Sequence, residues 1–351
     1  AKKNNCIPNI LYVSAKNKKL NRGFKINKKI WLNNFLDATK NKNVDLIIEL
    51  IGGAEGPAKK LVFNALKNKK HVVTANKALI AKYGDQLAKI AEKNKVNLEF
   101  EASVCGGVPI IRSLKEGLIA NKISKVFGIF NGTSNYILSS MDKENKSFEE
   151  VLNKAKKLGY AESNPSADLN GDDVAAKLKI LSSLCFNSFL NNNIHVEGIK
   201  NIDQEDINYA SNLGYRIKLL GFAEQIDNII YQRVHPTLIK NTSHVASIEG
   251  VLNAVIIEGS PVGQSIIQGE GAGPAATTSA LVSDISSILR GNIKFPFSVS
   301  SKERKKLNFR DISERFFSAY LRFEVKDRPG VLSKITKIFS KNKVSIKRLI
   351  Q

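Results

Sequence analysis

The sequence predicts an α/β protein: a doubly wound parallel sheet, then an α+β domain, then a short βαβ tail. Three observations carry this. Apolar runs alternate with helical periods over residues 9–104. From residue 148 onward helices come first and strands later. Residues 318–351 read strand, turn, helix, strand.

The elements follow in order. Residues 9–14 (NILYVS) read as a short buried strand and 44–53 (VDLIIELIGG) as a second, ending in glycines. Such near-continuous apolar runs suit a parallel sheet covered on both faces. Residues 57–67 have helical period, 70–75 (KHVVTA) form another strand, 77–95 a helix and 97–104 (NLEFEASV) a fourth strand. This is the Rossmann-type, dinucleotide-binding alternation. Such a domain opens with a strand, a GxGxxG turn and a helix whose N–H groups hold a pyrophosphate. Residues 1–43 contain a single glycine, Gly23, so the sequence predicts a chain that starts after that first βα unit. At the end of the first visible strand, Ser14, Ala15 and Lys16 offer no carboxylate to a ribose 2′-hydroxyl, and lysines follow. That favours a 2′-phosphate, hence NADP over NAD.

After Pro109 the pattern changes. Residues 124–130 read as a strand, 134–141 as a helix start, 148–158 as a helix stopped by Gly159, and 172–185 as a helix. Strands follow at 215–225, 228–234, 254–258 and 263–268, and a last helix at 275–289. This points to an α+β domain with a largely antiparallel sheet. Residues 295–312 are polar and basic. The implied domains are 1–110, completed by 275–292; 111–292; a linker at 293–317; and a tail at 318–351.

Composition narrows the function. The chain has 351 residues, 42% hydrophobic, enough for two or three domains. No run reaches the ~18 apolar residues of a membrane helix, and the first residues lack a signal-peptide pattern. Cys6, Cys105 and Cys185 are odd in number and widely spaced, which argues for a reducing cytoplasm without disulfides or a zinc site. The net charge is +22. The lysines lie scattered on helix faces and turns without interleaved aromatics, so they read as solvated surface and not as a nucleic-acid stripe.

Five clusters could carry chemistry. In LGYAESNPSADLNGDDVAAKLKIL (158–181), Pro165 keeps a loop extended, and Asp173 and Lys177 share a helix face four residues apart. Carboxylates can hold an ammonium, and a lysine can give a proton to an oxygen that gains charge. The same spacing also makes an ordinary surface ion pair. In VTANK (73–77), Lys77 follows a parallel strand at its C-terminal end, where ligands bind; it also suits a helix capped by Asn76. In EASVCGGVP (101–109) a carboxylate and exposed carbonyls could ligate a hard cation. Cys105 has no neighbouring histidine to activate it and reads as a small buried residue. FNGTSNY (130–136) enters a helix whose N–H groups could face an anion. GEGAGP (269–274) allows close backbone approach to a ligand. The four histidines lack metal-ligand spacing, and Trp31 reads as packing.

In this order the clusters TANK, EASVCGGVPII, FNGTSNYIL, LGYAESNPSADLNGDDVAAKLKIL and GEGAGPAATTSALVSDI resemble homoserine dehydrogenase, over about residues 9–290. The resemblance implies reduction of L-aspartate 4-semialdehyde to L-homoserine with NADPH or NADH, on the route to threonine, methionine and isoleucine. It implies Lys177 as proton donor and Lys77 as a second active-site lysine touching cofactor and substrate. Glu162 and Asp173 would bind substrate with Asp168 close by, and Thr133 joins them from the 130–136 loop. Gly159 and Gly273 would lie against the cofactor, as would Gly53. Glu101, with carbonyls of Val104, Gly106 and Val108, resembles the family's sodium site. The tail resembles the opening half of an ACT domain, which implies feedback control, commonly by threonine. A homodimer or homotetramer is implied, and neither nucleic acid nor membrane is expected as a partner. The missing glycine turn predicts weak NADPH binding by this chain alone. Two other readings remain: a phosphorylating semialdehyde dehydrogenase, which would need a Cys–His pair, and a non-catalytic amino-acid sensor.

Overall fold

The computed structural model describes residues 7–351. Cys6 falls outside them. Strands β1 (Leu46–Glu49), β2 (His71–Thr74) and β3 (Leu98–Glu99) form a parallel sheet in that order. Helix α1 (Pro57–Lys67) begins with proline in its first turn and buries Leu61, Val62, Ala65 and Leu66. Proline suits that turn because its missing N–H has no helical partner there. Helix α2 (Lys77–Asn94) is capped by Asn76, whose side chain accepts the Leu79 N–H, and buries Leu79, Ile80, Leu87 and Ala91. The two helices pack side by side against β1–β3.

The second unit is a seven-stranded sheet. β4 (Lys122–Ile129), β6 (Tyr215–Ile226), β7 (Ile229–Lys240), β8 (Leu252–Ser260) and β9 (Gly263–Glu270) run antiparallel in the order β7-β6-β4-β8-β9. β5 (His195–Val196) and β10 (Asn308–Phe309) pair with β7 in parallel. Helices α3 (Gly132–Glu144), α4 (Phe148–Lys157), α5 (Ser166–Asn170), α6 (Asp172–Cys185) and α7 (Gln204–Asn212) belong to this unit. α8 (Pro274–Leu289) packs back onto β2 and the 3-10 turn at Glu101–Ser103. α9 (Val331–Lys341) lies in the tail.

One packing detail sets how closely α6 approaches the sheet. β4 and β6 place Gly128 opposite Gly221, and the Phe130 ring folds back over this bare patch. A Cβ on Gly221 would stand 2.6 Å from Phe130 and 3.0 Å from Val174 of α6. The glycine pair lets α6 approach closely, and Val174, Leu178 and Leu181 of that helix are fully buried.

The α/β class holds, and five local expectations change. The strand expected over 97–104 is cut to Leu98–Glu99, because the chain turns into a 3-10 helix at Glu101–Ser103. Residues 9–14 form no strand. Val13 makes one isolated bridge to Trp31, and Ile10 is exposed; the apolar run has no ladder partner to make it a strand. Residues 166–170 are helical, because Pro165 starts a helix as readily as it extends a loop. The predicted linker is docked over part of its length. Phe297 is buried against Phe100, and the Arg304 guanidinium is buried, ion-paired with Asp85 at 2.7 Å and stacked on Phe297. A basic residue reads as exposed until a carboxylate is found for it across space. In the tail only α9 forms. Phe323, Val325, Val344 and Ile346 stay exposed and no ladder joins the flanking segments among the described residues, because a strand needs a paired neighbour.

Candidate active site

The site grows where β4, α3, α5 and α6 meet α2. Gly171 adopts φ 89° between α5 and α6. This left-handed kink, which glycine tolerates, turns the chain so that Asp173 sits in the first turn of α6 with Lys177 one turn on. The Lys177 Nζ donates to Asp173 Oδ2 and to the Phe130 carbonyl, each at 2.7 Å. Lys77, at the start of α2, reaches Asp173 Oδ1 at 2.9 Å. One carboxylate thus joins a lysine from each side of the cleft.

Asp168 and Thr133 complete the pocket. Asn131 donates through Nδ2 to Asp168 Oδ1 at 2.7 Å and to Asp173 Oδ2 at 2.8 Å, and its Oδ1 caps α3 by accepting the Ser134 N–H. The Thr133 hydroxyl donates to the Tyr160 carbonyl at 2.7 Å, tying the 159–160 loop to the site. Glu162, on the same loop, is exposed and makes no hydrogen bond or ion pair to the cluster. The sequence had placed it with Asp173.

Electrostatics divide the groups. Burial opposes a charge on Asp173, but Lys177 and Lys77 overcome it and hold the carboxyl well below the usual range. Burial also opposes a charge on Lys177, and Asp173 prevails, raising it. Burial raises Asp168. Cys105 is buried, and burial pushes its thiol up to about 11. A buried thiol held in its neutral form is a poor nucleophile, which argues against acylation chemistry at this residue.

The remaining candidates occupy loops around this centre. At the C-terminal end of β1, the buried Glu49 accepts the Ile51 and Gly52 N–H groups and the Thr74 hydroxyl. Asn76 donates to the Gly53 carbonyl at 2.8 Å, which fixes Gly53 beside Lys77. Gly53, Gly159 and Gly273 have φ of 77°, 76° and 108°, with open space where a Cβ would stand. Glu101 is buried and accepts the Ile111 and Arg112 N–H groups at 2.8 and 2.7 Å. A cavity of about 130 Å³ lies beside Glu101, Gly106, Gly107 and Arg112. The Val108 carbonyl accepts the Ile110 N–H at 2.7 Å. Among the described residues no cluster of three His, Cys, Asp or Glu could hold a metal.

Asn131 and Glu49 escaped the sequence reading, and Asn76 was read as a helix cap without its bond to the Gly53 carbonyl. Asn253 escaped it too: it is fully buried against Gly271, and apart from a weak approach of the Cys105 thiol its amide has no partner. The one available signal was position, since each stands at a strand end or helix cap.

Three family models match the chain. A model described as homoserine dehydrogenase matches residues 109–286, one described as its NAD binding domain matches 4–101, and an ACT domain model matches 319–351. A homoserine dehydrogenase of Neisseria gonorrhoeae is 43% identical over 322 residues, covering 88% of this chain and 73% of that protein. The chain belongs to the homoserine dehydrogenase family. It is an NAD(P)-dependent oxidoreductase acting on a CH–OH group, and the sensor reading is not favoured. A homoserine dehydrogenase structure from Thiobacillus denitrificans superposes with TM-score 0.84 at 39% identity, covering 92% of this chain and 76% of that one. A hyperthermophilic archaeal homoserine dehydrogenase in complex with NADPH superposes with TM-score 0.63 at 26% identity, covering 74% and 75%. The NAD binding domain match makes the cofactor a nicotinamide dinucleotide. No described helix is long and apolar enough to cross a membrane.

Proposed function

We propose that Lys177 is the proton donor for reduction of L-aspartate 4-semialdehyde to L-homoserine, with Asp173 and Asp168 receiving the substrate ammonium. The observation that carries this is the Lys177–Asp173–Lys77 chain across the cleft. When bound, a reduced nicotinamide supplies the hydride. As the aldehyde carbon takes it, the carbonyl oxygen gains charge. Lys177, held protonated by Asp173, gives that oxygen its proton and leaves a hydroxyl. Its second bond, to the Phe130 carbonyl, fixes the direction of the ammonium. Lys77 is half-exposed on the cofactor side and offers a cation to the substrate carboxylate and to the cofactor. Thr133 offers a hydroxyl to the substrate, and Glu162, on the loop that Thr133 holds through the Tyr160 carbonyl, offers a further carboxylate.

The residues fit the cofactor. Gly53, Gly159 and Gly273 leave space for a flat ring against the backbone, and the unpaired Asn253 amide lies beside the Gly271 loop. NADP is the proposed cofactor over NAD, on the run of lysines after Ser14; the ratio of kcat/KM for NADPH and NADH tests it. A sodium ion is proposed at Glu101, a buried carboxylate that lines a cavity with Gly106; the family resemblance adds the carbonyls of Val104, Gly106 and Val108 as its other ligands. Sodium should raise the melting temperature of the wild type and leave Glu101→Gln unmoved; equal effects on both would exclude the site. Residues 1–110 with 275–292, 111–292 and 318–351 are the proposed cofactor, substrate and regulatory domains. The proposed setting is a cytoplasmic homodimer or homotetramer responsive to threonine, readable by sedimentation and by inhibition assays.

Activity with homoserine as sole substrate, compared between wild type and Lys177→Met, tests the central assignment.

A further inference from the structure

The two substrate carboxylates come from different helices, and something must hold two like charges side by side. Lys177 and Lys77 both attach to Asp173, and neither reaches Asp168. The group that spans both is Asn131. It is 4% exposed, and its single Nδ2 donates to Asp168 Oδ1 at 2.7 Å and Asp173 Oδ2 at 2.8 Å.

We infer that Asn131 is a positioning residue: its amide bridges Asp168 and Asp173, sets the spacing that receives the substrate ammonium, and fixes the carboxylate that orients Lys177. This rests on the assignment of Lys177 and the two aspartates made above.

Three features support it. The two bonds use both N–H groups of the amide, so the donor capacity of the side chain is spent on the carboxylates. The Asp173 Oδ2 is shared by Asn131 and Lys177, so a shift of Asn131 moves the atom that aims the proton donor. The Phe130 carbonyl, one residue earlier, is the other anchor of Lys177. A single peptide junction between β4 and α3 therefore places both the donor and the acceptors. Its rigidity comes from the α3 cap, since Asn131 Oδ1 accepts the Ser134 N–H at 2.7 Å, and from the Phe130 ring seated over Gly221.

The cap supplies the means of testing this. Aspartate and serine cap helices about as well as asparagine. Asn131→Asp and Asn131→Ser therefore keep the acceptor for Ser134 while removing the donors. In Asn131→Asp the new carboxyl faces Asp168 on α5, Asp173 and Lys177 on α6 and, beyond Asp173, Lys77 on α2. Ionised, it repels both aspartates; protonated, it can donate to one of them. A cap-only role predicts wild-type kinetics for both variants. The bridging role predicts that KM for homoserine rises and kcat falls. Together they lower kcat/KM by about 10- to 100-fold at pH 8, the loss expected from a missing bond to a charged group. KM for the nicotinamide should stay within about twofold, because no bond of Asn131 reaches the cofactor loops. For Asn131→Asp the deficit should shrink as the pH falls toward 6, while that of Asn131→Ser stays constant.

Each variant is assayed with its melting temperature, alongside Lys177→Met. Wild-type kcat/KM in Asn131→Ser at an unchanged melting point overturns the inference, and so does an equal rise in both KM values. Asn131→Ser alone suffices if the aspartate variant fails to fold. Near-normal activity in Lys177→Met instead removes the reading on which the inference stands. Loss in Lys177→Met with none in Asn131→Ser removes the inference alone.

Discussion

Replacing Lys177 by methionine removes the proton and the charge and shortens the unbranched side chain by one atom. The side chain is 11% exposed, and its ammonium holds two bonds of 2.7 Å, to Asp173 and to the Phe130 carbonyl. Removing one member of a buried pair costs roughly 3–5 kcal/mol. Here Asp173 keeps Lys77 at 2.9 Å and Asn131 at 2.8 Å, so the cost falls near the lower end, about 3 kcal/mol. The catalytic effect is separate. General acid catalysis is worth roughly 100- to 10,000-fold, or about 3–5 kcal/mol of barrier at 1.36 kcal/mol per decade. The assay follows nicotinamide absorbance with homoserine or the semialdehyde, beside a thermal melt. The expected result is a kcat drop in that range, several times larger than the change in KM. A drop below about tenfold in a folded variant refutes the assignment, since no acid working at its expected strength is so dispensable.

Two further outcomes follow from packing and charge. Gly221→Ala puts a methyl 2.6 Å from the Phe130 ring; overpacking should cost about 1–3 kcal/mol, and kcat should fall as the Phe130 carbonyl shifts from Lys177. A melting point and kcat both unchanged would show that the glycine pair does not set the α6 approach. Lys218 is buried, bonded to Asn135, Ser139 and the Ile248 carbonyl, and burial pushes it down to about 8. The folded chain then holds this proton less tightly than the unfolded chain, whose value is 10.5. Its contribution to stability is full above 10.5 and is lost as the pH falls through about 8. Denaturant unfolding from pH 8 to 10.5 should show this upward slope in the wild type, flattened in Lys218→Met; equal slopes would refute it.

Much of the fold was legible because periodicity reports which face is covered. α1 and α6 run over the spans predicted, residues 57–67 and 172–185. The errors have physical sources. The 9–14 run is apolar but has no ladder partner, and α7 was missed although Asp203 and Asp206 form a capping box at its start. Arg304 read as linker surface because its partner, Asp85, lies far off in sequence. In the site, Asp173 and Lys177 were visible through helical spacing alone. Asn131 was not, because an asparagine before a helix is adequately explained as a cap, and its second role depends on where α5 and α6 lie.

The sequence by itself determined the order of elements, the Asp173–Lys177 pair one helical turn apart, and the family, since these follow from local spacing and motif chemistry. Only the tertiary structure decided that Lys77 shares Asp173 with Lys177, that Asn131 joins two carboxylates, and that Glu162 makes no bond to that pair. Each of these depends on distances between elements far apart in the chain, and those distances are set by packing, down to a glycine pair that lets one helix come close.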